Sequence, residues 1–167
     1  MRKNWKVLFP AAMLATICWL GAPTAVQAQD MDSTEKELQT MYMVYLEEND
    51  YSPMVDQDGD VQFRYNNMMY FIDVDASDTE YFAVMLPNSW EIESEEEGKQ
   101  ALQACNAVNA STKVVKAQVI NENVWFTTEI ILPEPGNFRT VFPRLLEAID
   151  SAVDRFVEEM TAPAGKY

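Results

Sequence analysis

The chain predicts an α+β domain, a five-stranded antiparallel sheet with helices packed on one face, in the order α-β-β-β-α-β-β-α. Three observations lead there. Three stretches repeat apolar residues at the 3.6-residue helical period, five short stretches alternate or cluster β-branched and aromatic residues, and turn-forming residues separate neighbouring strands.

Residues 32–48 begin with a possible capping box, Thr34 and Glu37, and set Leu38, Met41, Tyr42 and Tyr45 on one helical face. Residues 49–53 break that helix, and Pro53 with Asp58-Gly59 marks a loop into extended structure. Val61, Phe63 and Tyr65 alternate with Gln62, Arg64 and Asn66, the period of a half-buried strand. Asn66-Asn67 suits a tight turn, because asparagine tolerates positive φ. Residues 69–74 and 81–86 read as the next two strands, joined by the acidic turn at 75–78. Ser94 and Glu97 form another capping-box signature, with Glu95 placed to pair with Lys99, and this second helix runs to about Asn109. Residues 113–120 and 124–132 are rich in β-branched and aromatic side chains and read as a hairpin closed by Asn121, Glu122 and Asn123. Pro133, Pro135 and Gly136 end the sheet. From about Thr140, Phe142, Leu145, Leu146, Ile149, Val153, Phe156 and Met160 trace one face of a long last helix, with Pro143 near its start.

The strand alternation carries a second message. Met69, Phe71, Tyr81, Met85, Trp125 and Ile131 fall on the face away from the core-facing residues. Six such side chains exposed together exceed the scattered hydrophobes of a monomer and predict an association surface. A one-residue slip in register would exchange the two faces.

Residues 1–28 read as a signal peptide: Arg2, Lys3 and Lys6 are followed by an apolar run over residues 7–20, then Gly21, Pro23 and the peptidase-compatible Val26-Gln27-Ala28. The apolar run is shorter than the about 20 residues a spanning helix needs, so no stable membrane anchor is expected once it is cleaved. Of the 167 residues, 139 then remain (29–167), the size of one domain, with 9 basic residues against 27 acidic ones. The expected location is the periplasm or the exterior. Cys18 leaves with the leader, since Ile17 before it does not fit a lipidation signal, and Cys105 stays as a lone cysteine on the apolar face of the second helix.

The chemistry available is narrow. The chain has no histidine, which removes imidazole-based triads, the usual neutral-pH general base and the commonest zinc ligand. Its glycines are isolated, so no phosphate-binding loop is seen. The acidic balance opposes binding to nucleic acid or anionic lipid; it favours solubility and, secondarily, steering of a basic partner. Asp56, Asp58 and Asp60 resemble the opening of a calcium loop, but glycine stands at the fourth place and Asn67 at the twelfth, which reads more plainly as a turn. A carboxylate-pair hydrolase needs two acids held about 5 to 9.5 Å apart in a cleft, and abundance of acids does not supply that arrangement. No catalytic residues and no cofactor are expected.

Two blocks carry a resemblance: DQDGDVQFRYNNMMYFIDVDASDTEYFAVMLP, and LQACNAVNASTKVVKAQVINENVWFTTEIIL over residues 102–132. In the order and spacing of DGDVQF, FIDVD, ACNAVN and VWFTTE the chain resembles the YbjN-like domain family, described as bacterial sensory transduction regulators. The resemblance spans roughly residues 38–160. It implies a fold similar to type III secretion chaperones, small, acidic, often dimeric proteins that bind extended segments of other proteins, and it brings no catalytic residues. Those chaperones work in the cytoplasm, whereas this leader predicts export. The expectation is therefore a single exported, non-catalytic, chaperone-like domain that docks a polypeptide segment or a second copy of itself through Met69, Phe71, Tyr81, Met85, Trp125 and Ile131. The alternatives are a calcium-responsive module at Asp56, Asp58 and Asp60, or a carboxylate hydrolase.

Overall fold

The structure, a computed structural model, describes residues 25–162, with side chains from residue 31 onward. Among these it contains helices α1 (Ala25–Glu48), α2 (Glu95–Ser111) and α3 (Phe138–Thr161), the last preceded by a 3-10 turn over Pro135–Asn137. The strands are β1 (Met54–Val55), β2 (Val61–Tyr65), β3 (Met68–Ile72), β4 (Tyr81–Glu91), β5 (Val115–Ile120) and β6 (Asn123–Ile131). They form one antiparallel sheet in the order β1-β2-β3-β4-β6-β5. The α+β class and the antiparallel sheet follow the expectation, but the sheet has six strands and the element order is α-β-β-β-β-α-β-β-α. The extra strand is two residues long and exists only because Met54 and Val55 lie against Gln62 and Val61 on the sheet edge. Neither composition nor period announces so short a segment.

One face of the sheet carries the core. Leu38, Tyr42 and Leu46 from α1, Ala101, Ala104, Cys105 and Val108 from α2, and Phe142, Leu146, Ile149 and Phe156 from α3 bury against Val61, Phe63, Tyr70, Ile72, Phe82, Val84, Leu86, Val124 and Phe126. Phe142 is the hub of this packing, its ring centroid 5.5 Å from those of Tyr45 and Phe63 and 5.8 Å from that of Tyr51. Such tilted and edge-on ring pairs contribute about 0.5–1.5 kcal/mol each beyond the area they bury.

Local chemistry accounts for most turns. Asn66 and Asn67 both have positive φ (47° and 67°), the geometry of a two-residue hairpin turn. The β5–β6 hairpin uses the same device at Asn121 and Glu122 (47° and 63°), so Asn123 pairs with Ile120 as strand and does not belong to a three-residue loop. Asp75 builds the turn after β3 by accepting from the Ser77 amide at 2.8 Å and the Ser77 hydroxyl at 2.6 Å. At the start of α2 the Ser94 hydroxyl accepts from the Glu97 amide (3.2 Å), while Glu97 reaches back to the Glu93 amide and the Trp90 indole, both at 2.8 Å.

Other boundaries differ from expectation. α1 begins at Ala25, so Thr34 and Glu37 lie inside the helix and do not cap it. It runs through Ala28, while the rest of the expected leader, with Cys18, lies outside the described residues. β4 continues past Leu86 to Glu91, with a register shift between Leu86 and Trp90 that accommodates Pro87, which has no amide hydrogen for the ladder. β5 starts at Val115 because Val114 takes φ 59°, outside strand geometry. α3 begins two residues before Thr140, which puts Pro143 more than one turn inside the helix. Among the described residues no helix is long and apolar enough to cross a membrane.

Candidate functional site: the sheet face opposite the helices

Strand alternation fixes which side chains leave the core, and register fixes which of them meet. None of Met69, Phe71, Tyr81, Met85, Trp125 and Ile131 belongs to the core cluster or packs against it. The pairings place all six on the face away from the helices, in two direct pairs and two outliers. Phe71 lies opposite Met85, and Tyr81 lies opposite Ile131. Met69 faces Arg64, and Trp125 faces Gln118. Ile131 is 67% exposed, and the other five are half-buried among their neighbours on the sheet. The apolar residues are thus not one continuous patch. On β4, Ala83 separates Tyr81 from Met85, and on β6, Thr127 and Glu129 separate Trp125 from Ile131.

The interruption is a row of acids that sequence reading did not single out. Val61 pairs with Ile72, which puts Asp60 beside Asp73; the Asp73 amide donates to the Ala83 carbonyl (3.2 Å), and Ala83 pairs with Glu129. The Asp60 and Asp73 side chains are close enough for each to act on the ionisation of the other. Burial holds both above the ordinary carboxylate range, opposed at Asp60 by the Val74 amide donating at 3.0 Å. Repulsion from Asp56 and Asp58 raises Asp60 further, and repulsion from Asp60, Asp75 and Glu129 raises Asp73 further. Tyr81 is raised too, by burial first and then by Glu129, Asp73 and Asp75. Glu129 is ion-paired with Lys116, whereas no ion pair to Asp60 or Asp73 is formed among the described residues. The signal was available in principle: Asp73 is two residues from Phe71 and Glu129 two from Ile131, hence on the same face.

Part of the backbone at each sheet edge is already engaged. On β5, the Asn109 carboxamide accepts from the Ala117 amide (2.8 Å) and donates to the Ala117 carbonyl (3.0 Å), taking the place of a neighbouring strand. On β2, β1 pairs with the first two residues and the Tyr51 carbonyl accepts from the Arg64 amide at 3.3 Å.

Residues 36–161 match the sequence family described as T3SS (YopN, CesT) and YbjN peptide-binding chaperone 1, TY-Chap1. The chain belongs to this family. No curated protein and no solved structure matches it. The match runs from the second half of α1 to the last residue of α3, so the TY-Chap1 domain includes every strand and the whole of the face just described. A peptide-binding family is consistent with a sheet face whose six apolar side chains lie outside the core cluster of the described residues.

In this TY-Chap1 domain the calcium alternative finds no support. Asp56 spends its side chain on the turn, accepting from the Asp58 amide (2.9 Å) and the Asp60 amide (3.0 Å), and among the described residues no three acids are grouped to hold a metal. Gly59 has φ 96°, and a Cβ there would lie 2.8 Å from Glu35 Oε1, so this glycine lets the turn close against α1, where Gln39 Nε2 donates to its carbonyl. The hydrolase alternative likewise finds no support: Asp60 and Asp73 are neighbours on the sheet face, and nothing in the geometry of the described residues sets two acids across a cleft. Cys105 is buried, and burial pushes its thiol up to about 11, which suits packing and not nucleophilic chemistry.

Proposed function

We propose that this chain is an exported, non-catalytic peptide-binding domain that docks an extended polypeptide segment across the sheet face opposite its helices. One observation carries the reading: Phe71–Met85 and Tyr81–Ile131 are directly opposed pairs on a face that contributes nothing to the core. A fold that keeps large apolar side chains where they do not support it has another use for them. Met69 and Met85 supply adaptable contacts, and Phe71, Tyr81 and Trp125 rigid aromatic ones. Affinity then comes from side chains seated on the face.

The test is binding of labelled extended peptides, followed by fluorescence anisotropy, to wild type and to Trp125→Asp. Removing an aromatic anchor and burying a charge in its place costs about 2 kcal/mol or more, roughly a thirtyfold loss. Equal binding by both proteins, with unchanged melting, excludes this face. Light scattering at several concentrations separates the competing occupant, because a second copy on the face gives a dimer that Trp125→Asp dissociates. Export is tested separately by N-terminal sequencing of protein from the cell envelope, where cleavage after Ala28 leaves Gln29 first.

A further inference from the structure

We infer that, while the leader remains attached, its apolar run over residues 7–20 seats along β6 on the sheet face opposite the helices, so that the face opens to other polypeptides only when the leader is gone. The inference rests on the docking reading above and names an occupant of that site, a segment of the same chain.

Position comes first. Thr34 and Leu38 of α1 share a shallow pocket with Thr79 and Glu134, which lie two residues before Tyr81 and three after Ile131. The first half of α1 therefore stands at the end of the sheet where Tyr81 pairs with Ile131, and Ile131, 67% exposed, is the most exposed apolar side chain of the face. Met31, Asp32 and Ser33 are all exposed, so this end of the helix extends past the body of the domain.

Length follows. A chain leaving Ala25 returns along α1 to the level of Thr34, about 14 Å at ~1.5 Å per residue. It then rounds the end of the sheet and covers Ile131 to Asn123, about 27 Å at ~3.4 Å per residue, which makes a path of about 50 Å. Residues 7–24 span at most about 60 Å. The apolar run thus reaches the far end of β6 with little to spare, Gly21 and Pro23 fall where the path reverses, and Arg2, Lys3 and Lys6 arrive beyond Trp125.

Charge matches at that far end. Asn123 is two residues from Trp125, hence on the same face, and it pairs with Glu91; Glu122 precedes it in the turn. Glu91 and Glu122 are both exposed, and neither forms an ion pair among the described residues. Residues 1–28 hold three basic side chains and no acid, whereas residues 29–167 hold 27 acids against 9 bases. Apolar residues followed by cations along the leader therefore meet apolar residues followed by acids along the face. Tethering places the leader at an effective concentration of about 1 mM, so a segment that binds in trans at about 100 μM weakens a competing peptide about tenfold.

The probe is a labelled peptide of alternating leucine and serine, about ten residues long so as to span the face, followed by fluorescence anisotropy against the full chain. The full chain carrying Leu8→Asp and Leu14→Asp should bind the probe about tenfold more tightly than wild type. A synthetic peptide of residues 1–28 should displace the probe from that variant. Adding Glu91→Gln should weaken the displacement about threefold and leave probe affinity unchanged. If wild type and the leader variant bind the probe alike while Trp125→Asp abolishes binding to both, the docking reading stands and the leader's occupancy is overturned. A synthetic leader that fails to displace the probe also overturns it, as do leader-dependent dimers in light scattering, which would seat the leader on a neighbouring copy. If no protein binds the probe, or Trp125→Asp changes nothing, the docking reading falls and takes the leader's seat with it.

Discussion

The Asp60–Asp73 contact makes a prediction that needs no ligand: Asp73→Asn stabilises the free protein at neutral pH. Asparagine keeps the size of aspartate and turns the Asp60 neighbour from a repelling carboxyl into an amide that donates to it, while the Val74 amide stays on Asp60 Oδ1. Two unit charges about 4 Å apart repel by about 4 kcal/mol at an effective dielectric of about 20. Both carboxyls are partly solvated, which screens most of that, so the expected gain is about 1 kcal/mol, or about 3 °C in melting temperature for a domain of this size. The pH dependence identifies the cause. Both acids are raised in the folded protein, which therefore holds more protons than the unfolded chain between the ordinary carboxylate value of 3.8 and the raised ones. Their contribution to stability is fully present below that window and is lost as pH rises through it. The advantage of Asp73→Asn is thus largest above the window and fades as the pH falls toward 3.8, where the wild-type pair is protonated. Urea unfolding of both proteins at a series of pH values between acid and neutral measures it. A less stable asparagine variant at neutral pH, or a gain that does not change with pH, refutes the reasoning.

Other perturbations follow from single contacts. Asn109→Ala removes both hydrogen bonds to Ala117 and leaves a strand edge unpaired; it should cost about 1–2 kcal/mol and raise concentration-dependent association, read by light scattering. Phe142→Ala empties the centre of the aromatic cluster and should cost about 3–5 kcal/mol in urea unfolding, a large share of the total stability of such a domain. The Cys105 thiol, buried and pushed up to about 11, should react with a thiol reagent at mildly alkaline pH only when the protein is unfolded; rapid labelling of the native protein contradicts its placement.

Period and turn chemistry made much of this fold readable. Phe142, Leu146, Ile149 and Phe156 stood at helical spacing and are buried together; Asn66-Asn67 takes positive φ as asparagine allows; Ser94 caps α2. These features are local, so a short window contains their causes. The errors came where a neighbour distant in sequence decides. β1 is a strand only through its partner, β4 resumes after Pro87 because β6 lies alongside, and Thr34 and Glu37 form a cap signature inside a helix that continues in both directions.

The candidate site divides in the same way. Strand alternation alone assigns Phe71, Tyr81, Met85 and Trp125 to a common side of the sheet, because successive side chains must point to opposite faces. It says nothing of which strands adjoin or how far each is slid along its neighbour. Register brings together Asp60, Asp73 and Glu129, residues far apart in the chain, lays Ala83 between two of them, and splits the six apolar side chains into pairs and outliers. Register is settled by the packing of the opposite face, where Val61, Ile72, Val84 and Thr128 must align for the core to close, and the acid row is its consequence on the other side.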